Sequence, residues 1–192
     1  MHILGLRRSG ERAYEEINEG NPLPVSLDGR PLTAGGQTLW VAAGFQRPNN
    51  TTAYTPNNAV SGSTVAPVLC GFVGCARLPG GSGYITGVRL ETDQTTNAAR
   101  YRLWLYNARV AAVADGAAVT VLWANRASRL GFIQTPAAQT DGADIAFAQD
   151  ATIRLPFVCD TGQMLWGLLE TLDGFTPAAL QSYYLALAVE QN

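Results

Sequence analysis

Carboxylates are the only side chains in this 192-residue chain present in enough number to run acid–base chemistry. All 13 basic residues are arginine, lysine is absent, and the one histidine is His2. Without lysine there is no Schiff-base nucleophile and no P-loop cation. Without an internal histidine the Ser-His-Asp and Cys-His devices lose their general base, and a histidine-rich metal site cannot form. The candidate acids for such chemistry are Glu91 with Asp93, Asp141 with Asp144, and Asp150, Asp160, Glu170 and Asp173. Two of them across a cleft, one with a raised pKa, would make a glycosidase-type pair. Most fall instead at strand ends or in turns, where solvation and turn hydrogen bonding account for them. The loop Asp141-Gly142-Ala143-Asp144 offers too few oxygens for calcium. The expectation is a protein that is not an enzyme and carries no metal and no cofactor.

Other candidate motifs reduce to structure. Cys70, Cys75 and Cys159 make an odd count, which is not the arithmetic of a disulfide-stapled secreted domain. The Cys70–Cys75 spacing is wider than CxxC, and the apolar setting of Phe72 and Val73 predicts buried thiols in a reducing compartment. Gly81-Ser82-Gly83-Tyr84-Ile85-Thr86-Gly87 leads into a strand, whereas a phosphate-binding glycine loop opens a helix. A nucleophile elbow is excluded as well, because position 84 is tyrosine and there is no internal histidine to act as base. The net charge of −2, with arginines scattered from Arg7 to Arg154, forms no stripe to neutralise a phosphate backbone, so no nucleic-acid partner is expected. The apolar runs are too short to span a membrane, and the order of apolar and basic residues around Ile3 to Glu16 is the reverse of a signal peptide.

The elements that position these residues read as strands. Strict alternation marks Tyr84-Thr86-Val88-Leu90, Tyr101-Leu103-Leu105, Val119-Val121-Trp123 and Tyr183-Leu185-Leu187-Val189, each with one apolar face. Ile145 to Phe147, Thr152 to Val158 and Met164 to Leu169 add three more. Residues 95–113 also have helix propensity, but alternation through Arg100, Arg102 and Trp104 favours strand. Asp115-Gly116, Asp141-Gly142 and Asp173-Gly174 are hairpin-type dipeptides. The chain therefore predicts an all-β, antiparallel, jelly-roll-like β-sandwich over residues 36–192. Residues 1–35 hold four of the 13 arginines and three of the ten prolines, and predict an extended, partner-contacting N-terminal arm.

Aromatic residues allow two readings. Trp40, Trp104, Trp123, Trp166, Tyr183 and Tyr184 could line a sugar-stacking platform or fill a sandwich core. Trp123 shares a face with Val119 and Val121 and is expected in the core. Trp104 lies on the arginine side of its strand, and Arg100, Arg102 and Trp104 together are the predicted contact patch, with a solvated sheet face as the alternative.

The phrases Gly80 to Leu90, Ala99 to Tyr106, Trp123 to Arg126 and Arg154 to Cys159, with the closing Ala188-Val189-Glu190-Gln191-Asn192, resemble a group of tailed-bacteriophage virion proteins. The resemblance covers roughly residues 52 to 192 and lies in strand phrases, with no catalytic signature. It implies a capsid decoration, or cement, protein: a β-sandwich on the outer capsid surface, often a homotrimer, made in the host cytoplasm and bound to the major capsid protein. The arm then supplies shell contacts through Arg7, Arg8, Arg12, Leu23 and Val25, since arginine suits interface ion pairs and stacking. A tail or head-fibre receptor-binding module that holds a glycan, and a carboxylate glycan hydrolase, are the alternatives.

Overall fold

The computed structural model describes residues 37–192. The expected arm, with Arg7, Arg8, Arg12, Leu23 and Val25, lies outside the described residues. From Gln37 onward the period-2 stretches form eleven strands: β1 Gln37–Gln46, β2 Ala59–Val60, β3 Cys70–Val73, β4 Ser82–Thr92, β5 Tyr101–Tyr106, β6 Arg129–Gln134, β7 Gln139–Asp141, β8 Ile145–Asp150, β9 Leu155–Val158, β10 Met164–Thr171 and β11 Ser182–Gln191. Among the described residues the one helical element is a 3₁₀ turn, Trp123–Asn125, and none is long and apolar enough to cross a membrane.

Pairing follows one rule. The outermost strands β1 and β11 pair, then β2 and β3 with β10, then β4 with β8 and β9, and finally β5 with β6, all antiparallel. This is a long hairpin of strand pairs. It rolls up when β11 also pairs with β4 and β10 with β5. The product is two sheets, β1-β11-β4-β8-β7 with β9 beside β4, and β2-β10-β5-β6 with β3 beside β10. That is the jelly-roll sandwich the alternation predicted, and rolling leaves each sheet one face to bury.

The core forms where the inward rows meet. Val41, Ile85, Val88, Leu90, Leu185, Leu187 and Val189 come from the six-stranded sheet, and Phe72, Tyr101, Leu103, Leu105, Ile133, Leu165 and Leu169 from the five-stranded one. Each buried large aliphatic or aromatic side chain contributes about 1.5–3 kcal/mol of transfer free energy. The rows pack closely enough to demand glycine at two places. A Cβ on Gly167 would sit 2.9 Å from both Leu103 and Phe72, and one on Gly83 would strike the carbonyl of Glu190.

Two expected strand faces are corrected. The register between β4 and β11 shifts at Ala188/Val189, so that Ala188 faces Gly87 while Val189 faces Ile85. This bulge at Thr86 reverses the phase: Ile85, Val88 and Leu90 point into the core, and Tyr84 points out with Arg154 stacked 4.1 Å from its ring centre. The predicted strand Val119 to Trp123 does not form, and Trp123 is 75% exposed instead of in the core. Residues 107–128 lie instead across the outer face of the five-stranded sheet. There Val110, Ala112, Val113 and Val119 pack on Leu168, Trp104 and Trp166.

This long connection is fastened by Asp115, inside the predicted Asp115-Gly116 turn. Its carboxylate accepts from Arg47 Nη2 at 2.9 Å, from the Tyr54 hydroxyl at 2.5 Å and from the Ser61 amide at 3.0 Å. Arg47 Nε donates to the Tyr54 oxygen, and Nη1 donates to the Ala178 carbonyl at 3.0 Å. Burial pushes the Tyr54 phenol well above its ordinary range, so it stays protonated and donates to Asp115.

Removing one member of this ion pair strands the other in the interior. Asp115→Ala is expected to cost about 3–5 kcal/mol in urea unfolding, whereas Arg47→Met combined with Asp115→Leu recovers much of that loss. A double substitution no more stable than Asp115→Ala would contradict the ion-pair account.

Candidate interaction surface

The outer face of the five-stranded sheet carries the predicted patch. Alternation along β5 sends Tyr101, Leu103 and Leu105 inward, and Arg102 and Trp104 outward. Register then sets the neighbours: Glu170, Arg102 and Gln134 lie in one row across β10, β5 and β6, and Leu168, Trp104 and Phe132 in the next. Glu170, nearly buried, accepts from Trp104 Nε1 at 2.6 Å and from Arg102 Nη1 at 3.3 Å. The Gln134 amide, oriented to suit its neighbours, accepts from Arg102 Nη2 at 2.9 Å. The Arg102 guanidinium lies 5.1 Å from the Phe132 ring centre and 5.5 Å from that of Trp104, and the two rings meet edge to face at 5.1 Å. Phe132 remains 49% exposed.

Of the three predicted patch residues, the structure brings Arg102 and Trp104 into this cluster and places Arg100 at its edge. Arg100 clamps Asp173 through its backbone N–H (2.8 Å), Nε (3.0 Å) and Nη2 (2.7 Å). Phe132, Gln134 and Glu170 complete the surface and were not foreseen as parts of it. β6 reads Arg-Leu-Gly-Phe-Ile-Gln, where Gly131 interrupts the alternation that would have exposed Phe132.

The opposite outer face repeats the motif. Arg89 on β4 lies between Trp40 of β1 (5.3 Å) and Tyr184 of β11 (5.7 Å), both rings more than two-fifths exposed. Its Nε sits 3.2 Å from Glu91 without hydrogen-bond geometry. Each such stack contributes about 0.5–1 kcal/mol at an exposed site and fixes a long side chain.

Several of the other candidate acids are occupied. Hydrogen bonds from Arg100 hold the Asp173 carboxyl below the usual carboxylate range, and those from Thr152 do the same for Asp150. Both move away from what a proton donor requires. Asp93 accepts from the Ser182 amide at 2.8 Å. Among the described residues no group of three or more histidine, cysteine, aspartate or glutamate side chains could hold a metal ion. All three cysteines are buried and free.

No protein-family model matches the chain, and no curated protein matches it. Among solved structures it is similar to a chain of the "Cyanophage Pam1 capsid asymmetric unit", at 17% identity and a TM-score of 0.34, covering 92% of this chain and 100% of that one. At that level the likeness carries no functional weight.

Burial makes the thiols unreactive: it pushes Cys70 and Cys75 up to about 12 and raises Cys159. Iodoacetamide at pH 8 is expected to label none of the three in native protein and all three in urea, read by mass spectrometry. Labelling of native Cys75 would show that the core opens at that end.

Proposed function

We propose that this chain is a non-enzymatic virion structural protein that decorates the outer surface of a phage head by binding its major capsid protein. The observation that carries the reading is the Phe132–Arg102–Trp104 stack. It is an aromatic and arginine surface held rigid by Glu170 and Gln134 and presented on a sheet face. Tryptophan, phenylalanine and arginine are enriched at protein–protein interfaces, and lysine is depleted. Pre-ordering such side chains lowers the entropy lost on docking. The resemblance of residues 52 to 192 to tailed-phage virion proteins supplies the partner.

In this reading the arm of residues 1–35 adds a second contact, and a lattice of identical sites turns two modest contacts into stable occupancy. Self-association as a trimer follows from the same resemblance. The occupied carboxylates of Asp93, Asp150, Glu170 and Asp173 and the buried thiols favour binding over catalysis.

The test is co-sedimentation with capsids that lack the protein. Full-length chain is expected to saturate them, and Arg102→Ala with Phe132→Ala to weaken binding by about 2–4 kcal/mol, the range of an interface hot spot. Deletion of residues 1–35 is expected to abolish stable decoration while leaving the β-rich circular dichroism spectrum. Wild-type occupancy by both variants would overturn the reading, and cryo-electron microscopy of decorated particles would locate the contact.

A further inference from the structure

A separate concavity lies on the five-stranded sheet, one row beyond the Leu168 row and away from Arg102. It has a volume of about 310 Å³ and is walled by Asn107, Arg109, Asp160, Thr161, Met164 and Trp166. Trp166 points outward from β10, and its neighbour across β3 is Gly71. Gly71 has no side chain to lay over the indole: a Cβ there would already lie 3.6 Å from the ring. The Met164 thioether borders the ring there, within 3.7 Å of the same point, and the half-buried Trp166 meets the concavity with the part of its ring that remains exposed. Arg109 stacks on the indole at 5.5 Å from the ring centre.

The polar heads around this ring are unspent. Among the described residues the side chains of Asn107, Asp160 and Thr161 make no hydrogen bond, and Arg109 makes no ion pair. This contrasts with the Arg102 cluster, where every polar group has a partner. Asn107 is anchored by its backbone, which donates to Ser128 at 2.9 Å, so its amide projects from a fixed point. An apolar ring beside amide, carboxylate, hydroxyl and guanidinium groups matches a ligand with a flat C–H face and a rim of hydroxyls. Arg109 and Asp160 put one charge of each sign on the rim, which favours a neutral ligand over an anionic one.

We propose that this pocket is a saccharide-binding site, with Trp166 stacking on a neutral pyranose and Asn107, Asp160 and Arg109 bonding its hydroxyls. The site is independent of the shell contact and would give a particle-borne protein a hold on a surface glycan.

The experiment is isothermal titration calorimetry of the full chain with cellopentaose, maltopentaose, chitopentaose and mannopentaose, alongside tryptophan fluorescence. At least one is expected to bind in the millimolar range or tighter, and Asp160→Asn and Asn107→Ala each to weaken it about tenfold, as loss of a hydroxyl contact predicts. Both changes are at the surface, so their melting temperatures should match the parent. Trp166→Ala is expected to abolish binding, with the two polar variants decisive if it fails to fold. No binding of any probe up to roughly 10 mM would overturn the proposal. So would binding that these variants leave intact, or that Trp40→Ala on the opposite sheet removes. Neither result bears on capsid co-sedimentation, which tests the shell contact by itself.

Discussion

The Asp115 carboxylate is the fastening on which the outer architecture depends. It gathers Arg47 from the end of β1, Tyr54 and Ser61 from either side of β2, and its own loop between β5 and β6. Arg47 extends the network to Ala178 before β11. Three connections far apart in sequence thereby converge on one buried charge pair. Moving two ions out of water is costly, and it is tolerable here because nearly every polar atom of the pair has a partner. The interior aromatic layer continues inward from it: Phe175 packs on Tyr54 and Tyr101, and Tyr101 shares hydroxyl contacts with Tyr183 and Asn97.

With the β5–β6 loop held down, the outer face of the five-stranded sheet is divided. Leu168 is covered by Val110, Ala112 and Val113. A sheet face this apolar would otherwise be exposed, and exposed patches of that kind associate without selectivity. What stays open are the two ends of the face, each built round a tryptophan and an arginine but finished differently. At Trp104 the arginine is fully bonded and the ring is partly shielded. At Trp166 the arginine is stacked on the ring, and its polar neighbours Asn107, Asp160 and Thr161 have no side-chain hydrogen bond among the described residues.

Much of this was readable from residue types. Alternation in Tyr101 to Leu105 and Tyr183 to Val189 reported the buried faces directly, because a sheet covered on one side imposes period two. The Asp141-Gly142 dipeptide marked the β7–β8 hairpin, with Gly142 at φ +77°. The bulge at Thr86 was hidden, since an inserted residue changes phase without changing composition. Val119-Val121-Trp123 misled for a different reason: the segment forms no strand, Val119 packs on the outside of the sheet in the loop that Asp115 fastens, and Trp123 is exposed. Arg102 and Trp104 were visible as outward residues of one strand. Their partners Glu170 and Gln134 were not, because cross-strand register is a property of two distant segments at once.

Register also sets what the two open ends can do together. Trp166 and Glu170 stand four residues apart on β10, about 13 Å at roughly 3.3 Å per residue, with the covered Leu168 between them. A flat protein partner seated on Phe132 and Arg102 would meet the β5–β6 loop as a step, not as a continuous surface. A pocket on the far side of that step can stay open while the near side is occupied. The absence of lysine fits both ends: a guanidinium can stack on an indole and still direct its N–H groups sideways, which an ammonium cannot do. Arg102 directs them into Glu170 and Gln134 and becomes part of a rigid surface. Arg109 directs them toward no side-chain partner among the described residues, so the same residue type yields a docking plate at one end of the strand and a receptive rim at the other.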